Sequence, residues 1–341
     1  MLNEYIVSLF QAALGLIPVL LFMAGLVFLD SFKLVTPRAT IGAILVGCGV
    51  AVILLPLHVY LVNTLPLSGA VFARYIAPLT EEIGKALFIL YLIRARRVGF
   101  MVDAAIFGFA VGTGFALFEN LYYLWTLAEF NPLVWIIRGC GTAVMHGGAT
   151  AIFAVITKTL SDRYESNILL PVLPGFAIAV IIHSLFNHFI FSPVYTAILT
   201  VGILPVLFIV IFKKSEDATR RWLGYGLDKD VELLRMIVAG NVAETRIGRY
   251  LQALQEKFPG MIVADMLNYL RIYLELSVRA KGILIMQETG YKVPVDPEIQ
   301  ERFQELKFLE KSIGKTGRRA LQPIMNLSNR DLWQLHMINK K

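Results

Sequence analysis

Glu81 and Glu82 stand side by side in the stretch 75–93, with Lys85 one turn further on, inside a run otherwise apolar enough to cross a bilayer. A carboxylate at membrane depth costs several kcal/mol unless it is neutralised, paired or facing a wet cavity. Two adjacent carboxylates cannot both ionise cheaply without a cation or a shared proton. Other apolar runs carry groups suited to that need: Glu119 and Asn120, His146, and His183 with Asn187 one turn later on the same helix face. At about 1.5 Å of rise per residue, Glu81, Glu82, His146 and His183 fall near mid-span, and the others nearer the outer end.

Two kinds of chemistry use this set. Imidazole nitrogens and a carboxylate oxygen are zinc ligands, and an open fourth position holds a water. Glu82, His146 and His183 are then the candidate ligands, with the neighbouring glutamate free to take a proton from that water. Without a metal, desolvation and mutual repulsion split the Glu81–Glu82 pair into a base and an acid. His183 and Asn187 then donate hydrogen bonds to an oxyanion. Lys85, one turn from Glu81, balances charge, and Glu119 and Asn120 support. Both schemes hydrolyse a peptide bond. A proton-coupled transporter would use the same residues as a relay, but no internal repeat relates residues 1–100 to 101–212, as many transporter folds would show.

These residues need helices to hold them. The chain has 341 residues, of which 57% are hydrophobic, and a mean hydropathy of +0.65, which places it among membrane proteins. Runs of about 20 apolar residues predict seven spans near 5–29, 39–62, 71–93, 101–125, 134–157, 172–191 and 194–212. Basic residues cluster in alternate connections: Lys33 and Arg38; Arg94, Arg96 and Arg97; Lys158 and Arg163; Lys213 and Lys214. This pattern predicts a multi-pass protein of the cytoplasmic membrane with its N-terminus outside. The first run has no basic leader or small-residue cleavage site, so it is expected to remain as a helix. Ala104, Gly108, Gly112 and Ala116 form one small-residue stripe and Gly139, Ala143, Gly147 and Ala151 another, which predicts close helix packing.

After Lys214 the character changes. Residues 213–341 hold 22 of the 32 Lys and Arg and 16 of the 25 Asp and Glu. This excess suits an anionic membrane surface and is too mixed for nucleic acid. Segments near 244–257, 260–281 and 297–313 have apolar residues at helical spacing. Asp265, Arg271, Glu275 and Arg279 mark the middle one as an amphipathic core helix, not an eighth span. Gly314-Lys315-Thr316 lacks the earlier glycine of a phosphate loop, since Leu309 stands there. Two cysteines, Cys48 and Cys140, exclude a disulfide framework. The expectation is an all-α polytopic bundle over 1–212 and a small helical cytosolic domain over 213–341.

Other intramembrane hydrolase signatures are missing. There is no His-Glu-x-x-His helix, Gly112-Thr113-Gly114-Phe115 lacks an aspartate, and no Gly-x-Ser-x-Gly elbow occurs. In order on successive helices, Glu81-Glu82-x-x-Lys85, Phe118-Glu119-Asn120-x-x-Tyr123, His146 and His183-x-x-x-Asn187 resemble the PrsW family of intramembrane proteases. That family is related to the CPBP group, which includes the type II CAAX prenyl endopeptidases. The related group has Glu-Glu-x-x-x-Arg where this chain has Lys85, and Phe-x-x-x-His where it has Phe118-Glu119-Asn120. The resemblance covers about residues 70–190. It implies a polytopic endopeptidase acting on membrane-associated proteins, single-pass regulators among them, and leaves open both the zinc scheme and the paired-glutamate scheme.

Overall fold

The structure, a computed structural model, describes residues 2–127, 131–164, 169–291, 296–325 and 329–339. Every regular element among them is helical. The chain forms two compact units, Met1–Glu216 and Asp217–Lys341.

The first unit contains α1 (Leu2–Leu29), α2 (Pro37–Thr64), α3 (Gly69–Val71), a π-helical turn (Phe72–Ile76), α4 (Ala77–Arg94) and α5 (Met101–Thr126). After these come α6 (Pro132–Ile136), a second π segment (Ile137–Ala143), α7 (Val144–Arg163), α8 (Leu169–His188) and the start of α9 (Pro193–Val238). Among the described residues, six helical stretches are long and apolar enough to cross a membrane: Ile6–Leu29, Pro37–Thr64, Met101–Thr126, Pro132–Arg163, Leu170–His188 and Pro193–Val238. Seven such stretches were expected. The stretch 71–93 is helical, but α4 buries Glu81, Glu82 and Lys85, and those charges set it apart from the apolar six. Large side chains such as Leu9, Phe28 and Ile53 are exposed on the outer helices, as lipid-facing residues must be.

α5 is buried continuously from Val102 to Gly108 and on to Ala116, packed by α1, α2 and α7. Its glycines explain how. A Cβ at Gly112 would lie 2.2 Å from His146 O, and one at Gly108 2.6 Å from Ala151 Cα. The first stripe therefore meets part of the second along the α5–α7 crossing. Gly139 instead abuts Leu14 O of α1. The start of α5 is fixed by Asp103, whose oxygens accept from Gly99 N at 2.6 Å and Phe100 N at 2.9 Å, satisfying donors at a helix start, where N–H groups lack partners within the helix.

The π turn before α4 has a local cause and a distant remedy. Pro78 has no N–H to give to the carbonyl four residues earlier, that of Arg74. Ser184 Oγ donates to Arg74 O at 2.6 Å, and Asn187 Nδ2 donates to Ala73 O at 2.8 Å. Side chains of α8 thus satisfy carbonyls on the approach to α4.

The second unit holds the rest of α9, a 3-10 turn (Asn241–Glu244), α10 (Arg246–Leu254), α11 (Gly260–Glu288), α12 (Pro297–Met325) and α13 (Asn329–Ile338). α11 is the central helix, burying Met266, Leu270, Ile272 and Leu276 among the other helices. Its charges pair laterally: Arg271 Nη1 donates to Glu275 at 3.0 Å, and Arg302 Nε lies 3.2 Å from the same carboxylate. α11 is not among the six apolar stretches. Gly314 has φ 65° inside α12, so its role is a left-handed break between two helical pieces.

Candidate active site

Glu81 and Glu82 lie on α4, directly after Pro78-Leu79-Thr80, and point in different directions, as helical neighbours must at about 100° apart. Both are buried, as are Lys85, His146 and His183. Glu82 is fully engaged: Lys85 Nζ donates to its Oε1 at 2.5 Å, and His183 Nδ1 lies 2.9 Å from the same oxygen. Lys85 Nζ also lies 3.1 Å from His146 Nδ1 and 4.7 Å from the centroid of the Phe115 ring. The expected Glu81–Lys85 pair is therefore replaced by Glu82–Lys85, at three residues' separation.

Glu81 faces the open side. It lines a cavity of about 320 Å³ together with His146, His183, Glu119, His58 and Asn187. Its Oε2 is buried without a hydrogen-bond partner, 3.8 Å from His183 Nε2 and 4.0 Å from His146 Nδ1. One ligand atom from each of Glu81, His146 and His183 falls within 4.8 Å of the others. Glu82, expected as a ligand, lies outside this group, its Oε1 in contact with the Lys85 ammonium and the His183 imidazole. Two imidazoles, one carboxylate and a buried oxygen with no donor make a set that fits a zinc-class ion. The contact of His183 Nδ1 with Glu82 is the outer-shell arrangement that fixes the tautomer and leaves Nε2 to face the ion.

A second carboxylate reaches the same cavity. Glu119 Oε2 lies 3.4 Å from His146 Nε2 and 3.3 Å from Arg138 Nη2, also without a hydrogen bond of its own. Arg138 is the residue that the sequence reading passed over. It sits in the π segment before α7, its Nε donates to Asn120 Oδ1 at 2.9 Å, and its guanidinium stacks 4.0 Å from the centroid of Tyr123. Its signal was legible: it is the one charged residue in the stretch expected to span at 134–157. Asn120 is fully buried and gives its Nδ2 to Gly15 O at 2.7 Å, so it ties α5 to α1 and lies outside the cavity lining.

Asn187 lines the cavity but gives an N–H to Ala73 O, which makes it first a support of the π turn. His188 contacts Ser184 O at 2.7 Å and Tyr75 Oη at 3.1 Å. His58 lies 2.8 Å from Thr80 Oγ1 and 4.0 Å from Glu81 Oε1, and so belongs to the cavity wall.

No curated protein and no solved structure matches the chain. A family model described as PrsW family intramembrane metalloprotease matches residues 32–213, more than half of the chain and all of the site, and the protein belongs to that family.

Proposed function

We propose that this integral membrane protease cleaves membrane-associated protein substrates at the Glu81–His146–His183 cavity, with Glu119 as the general base. The observation that carries the reading is the convergence of those three ligand atoms within 4.8 Å around the unpartnered Glu81 Oε2. Glu81, His146 and His183 would hold the metal, and a zinc-class ion there would supply Lewis acidity to the scissile carbonyl and lower the pKa of water. Glu82 accepts the Nδ1 proton of His183 and thereby aims its Nε2. Glu119 Oε2 takes a proton from the attacking water and returns it to the leaving amine nitrogen. Arg138 holds the Glu119 carboxylate in place, and Asn187 keeps the α4 approach in register. The basic residues in alternate connections support a topology with the N-terminus outside and residues 213–341 in the cytoplasm.

One observation favours a second reading. The Lys85 ammonium, 3.1 Å from His146 Nδ1, already brings a positive charge to the group. Glu81 would then activate water without a metal, and His183 and Asn187 would stabilise the oxyanion.

Metal content and peptidase activity, measured together on detergent-purified protein, separate the two. A pool of fluorogenic single-pass peptides serves as substrate. The first reading expects about one zinc per chain, lost in His183→Ala and Glu81→Gln. Glu119→Gln would keep the zinc and lose turnover. A metal-free wild type with peptidase activity abolished by Glu81→Gln establishes the second reading, and a wild type without peptidase activity overturns both.

A further inference from the structure

The unit Asp217–Lys341, outside the family match, contains a built cavity of about 430 Å³. It lies between the later part of α9 and α11. Trp222, Gly226 and Asp230 occupy one face of α9 at four-residue spacing, opposite Ser277 and Lys281 of α11. Gly226 makes the room: a Cβ there would lie 2.9 Å from Lys281 Cε.

Lys281 is 2% exposed. Its ammonium donates to Asp230 Oδ2 and, at 3.1 Å, to Ser277 Oγ, and it lies 5.2 Å from the centroid of the Trp222 ring. Ser277 Oγ in turn donates to Asp230 and accepts from Gln334 Nε2 at 2.7 Å. An ammonium has three N–H donors, so this network leaves Lys281 one for a further acceptor. Asp230 is balanced by Lys281, and Arg330 and Asp331 stand side by side in the lining, which leaves Arg221 and Lys229. Both are exposed, and neither forms an ion pair among the described residues. Along α9 they lie two turns apart, about 12 Å, on either side of Tyr225. Leu270, Leu274 and Ile324 supply an apolar wall.

The volume falls within the range of small-molecule sites, about 300–1,000 Å³. Arginine and lysine at the rim favour a phosphate over a singly charged carboxylate, and the aromatic and aliphatic wall favours a ligand with a body. We infer that this cavity is a binding site for an organic phosphate, its phosphate at Arg221, Lys229 and Lys281 and its planar or acyl portion against Trp222 and the leucines. The ligand chemistry is a phosphate ester on an apolar or aromatic body, as in a nucleotide or a phospholipid headgroup with its acyl chains.

The test is isothermal titration of the full-length protein in an uncharged detergent with ADP, short-chain phosphatidic acid and inorganic phosphate. One of the two organic phosphates should bind with a Kd below about 100 μM, and the tighter one identifies the source. Inorganic phosphate should be at least about tenfold weaker, because it lacks the body. Arg221→Ala/Lys229→Ala, both at exposed positions, should weaken binding at least about tenfold with an unchanged melting temperature. Gly226→Ala should weaken it too, by pushing Lys281 aside. Kd values above about 1 mM for both organic phosphates would overturn the inference. So would inorganic phosphate binding equally well, or full affinity in the Arg221/Lys229 double variant.

Discussion

Gly112→Ala is the smallest change that should separate the two halves of the active site. Alanine is normally the better helix residue, by about 1 kcal/mol in a helix interior. At position 112 the added Cβ would lie 2.2 Å from His146 O and 2.7 Å from Gly147 Cα, whereas ordinary contact begins near 3.4 Å. Both obstacles are backbone, so no rotamer change relieves them, and α5 and α7 must part by about 1 Å at the level of His146. Overpacking of this kind costs about 1–3 kcal/mol. A displacement of about 1 Å at a reacting centre lowers turnover by about a hundredfold. Gly49→Ala on α2, where nothing lies within 4 Å of the new Cβ, is the matched control and should be neutral or stabilising. The assay is thermal unfolding in detergent beside peptidase rate and zinc content. Gly112→Ala should unfold several degrees lower, with weakened zinc retention and turnover reduced by about two orders of magnitude. Unfolding, zinc and turnover all matching those of Gly49→Ala would refute the close α5–α7 crossing and the site built on it.

Arg138→Ala should lower turnover by about a hundredfold through misplacement of Glu119, with zinc retained and Arg138→Lys partly restoring the rate; rate and metal content measured together check both. Asn187→Ala should lower stability by about 1 kcal/mol through the lost bond to Ala73 O, while reducing turnover far less than His183→Ala; paired melting and rate measurements check it. Asp30, just beyond α1, is pushed up to about 6 from 3.8, first by burial and against the opposing hydrogen bond from Val35 N. Because its folded pKa is raised, the stability it contributes is full below pH 3.8 and is lost as pH rises through about 6. Asp30→Asn should therefore stabilise the protein above pH 6, by up to about 3 kcal/mol at about 1.4 kcal/mol per pH unit, and flatten the melting temperature between pH 4 and 7.

The sequence alone determined the class of the protein and singled out most of the polar residues that meet in the cavity. Hydropathy over some 20 residues is a local property, so the apolar helices and the charged helical unit after them were legible without any contact. A charge at membrane depth must be compensated, and this physical rule picked out Glu81, Glu82, Lys85, Glu119, His146 and His183 before their distances were known. Hydropathy alone did not decide the count of spans, because Glu81, Glu82 and Lys85 make α4 more polar than the six apolar stretches. Nor did it assign roles within the site. Which adjacent glutamate faces the cavity depends on how α4 is rotated, and that follows from the π turn before Pro78 and the two α8 side chains that satisfy its carbonyls. Lys85 chose Glu82 over Glu81 because His183 of α8 lies on the same side. Arg138 became part of the site through a contact between α5 and the segment before α7, and the cavity beside Lys281 exists because α9 and α11 meet across a glycine. Each of these depends on the packing of residues far apart in the chain, and no window of sequence contains it.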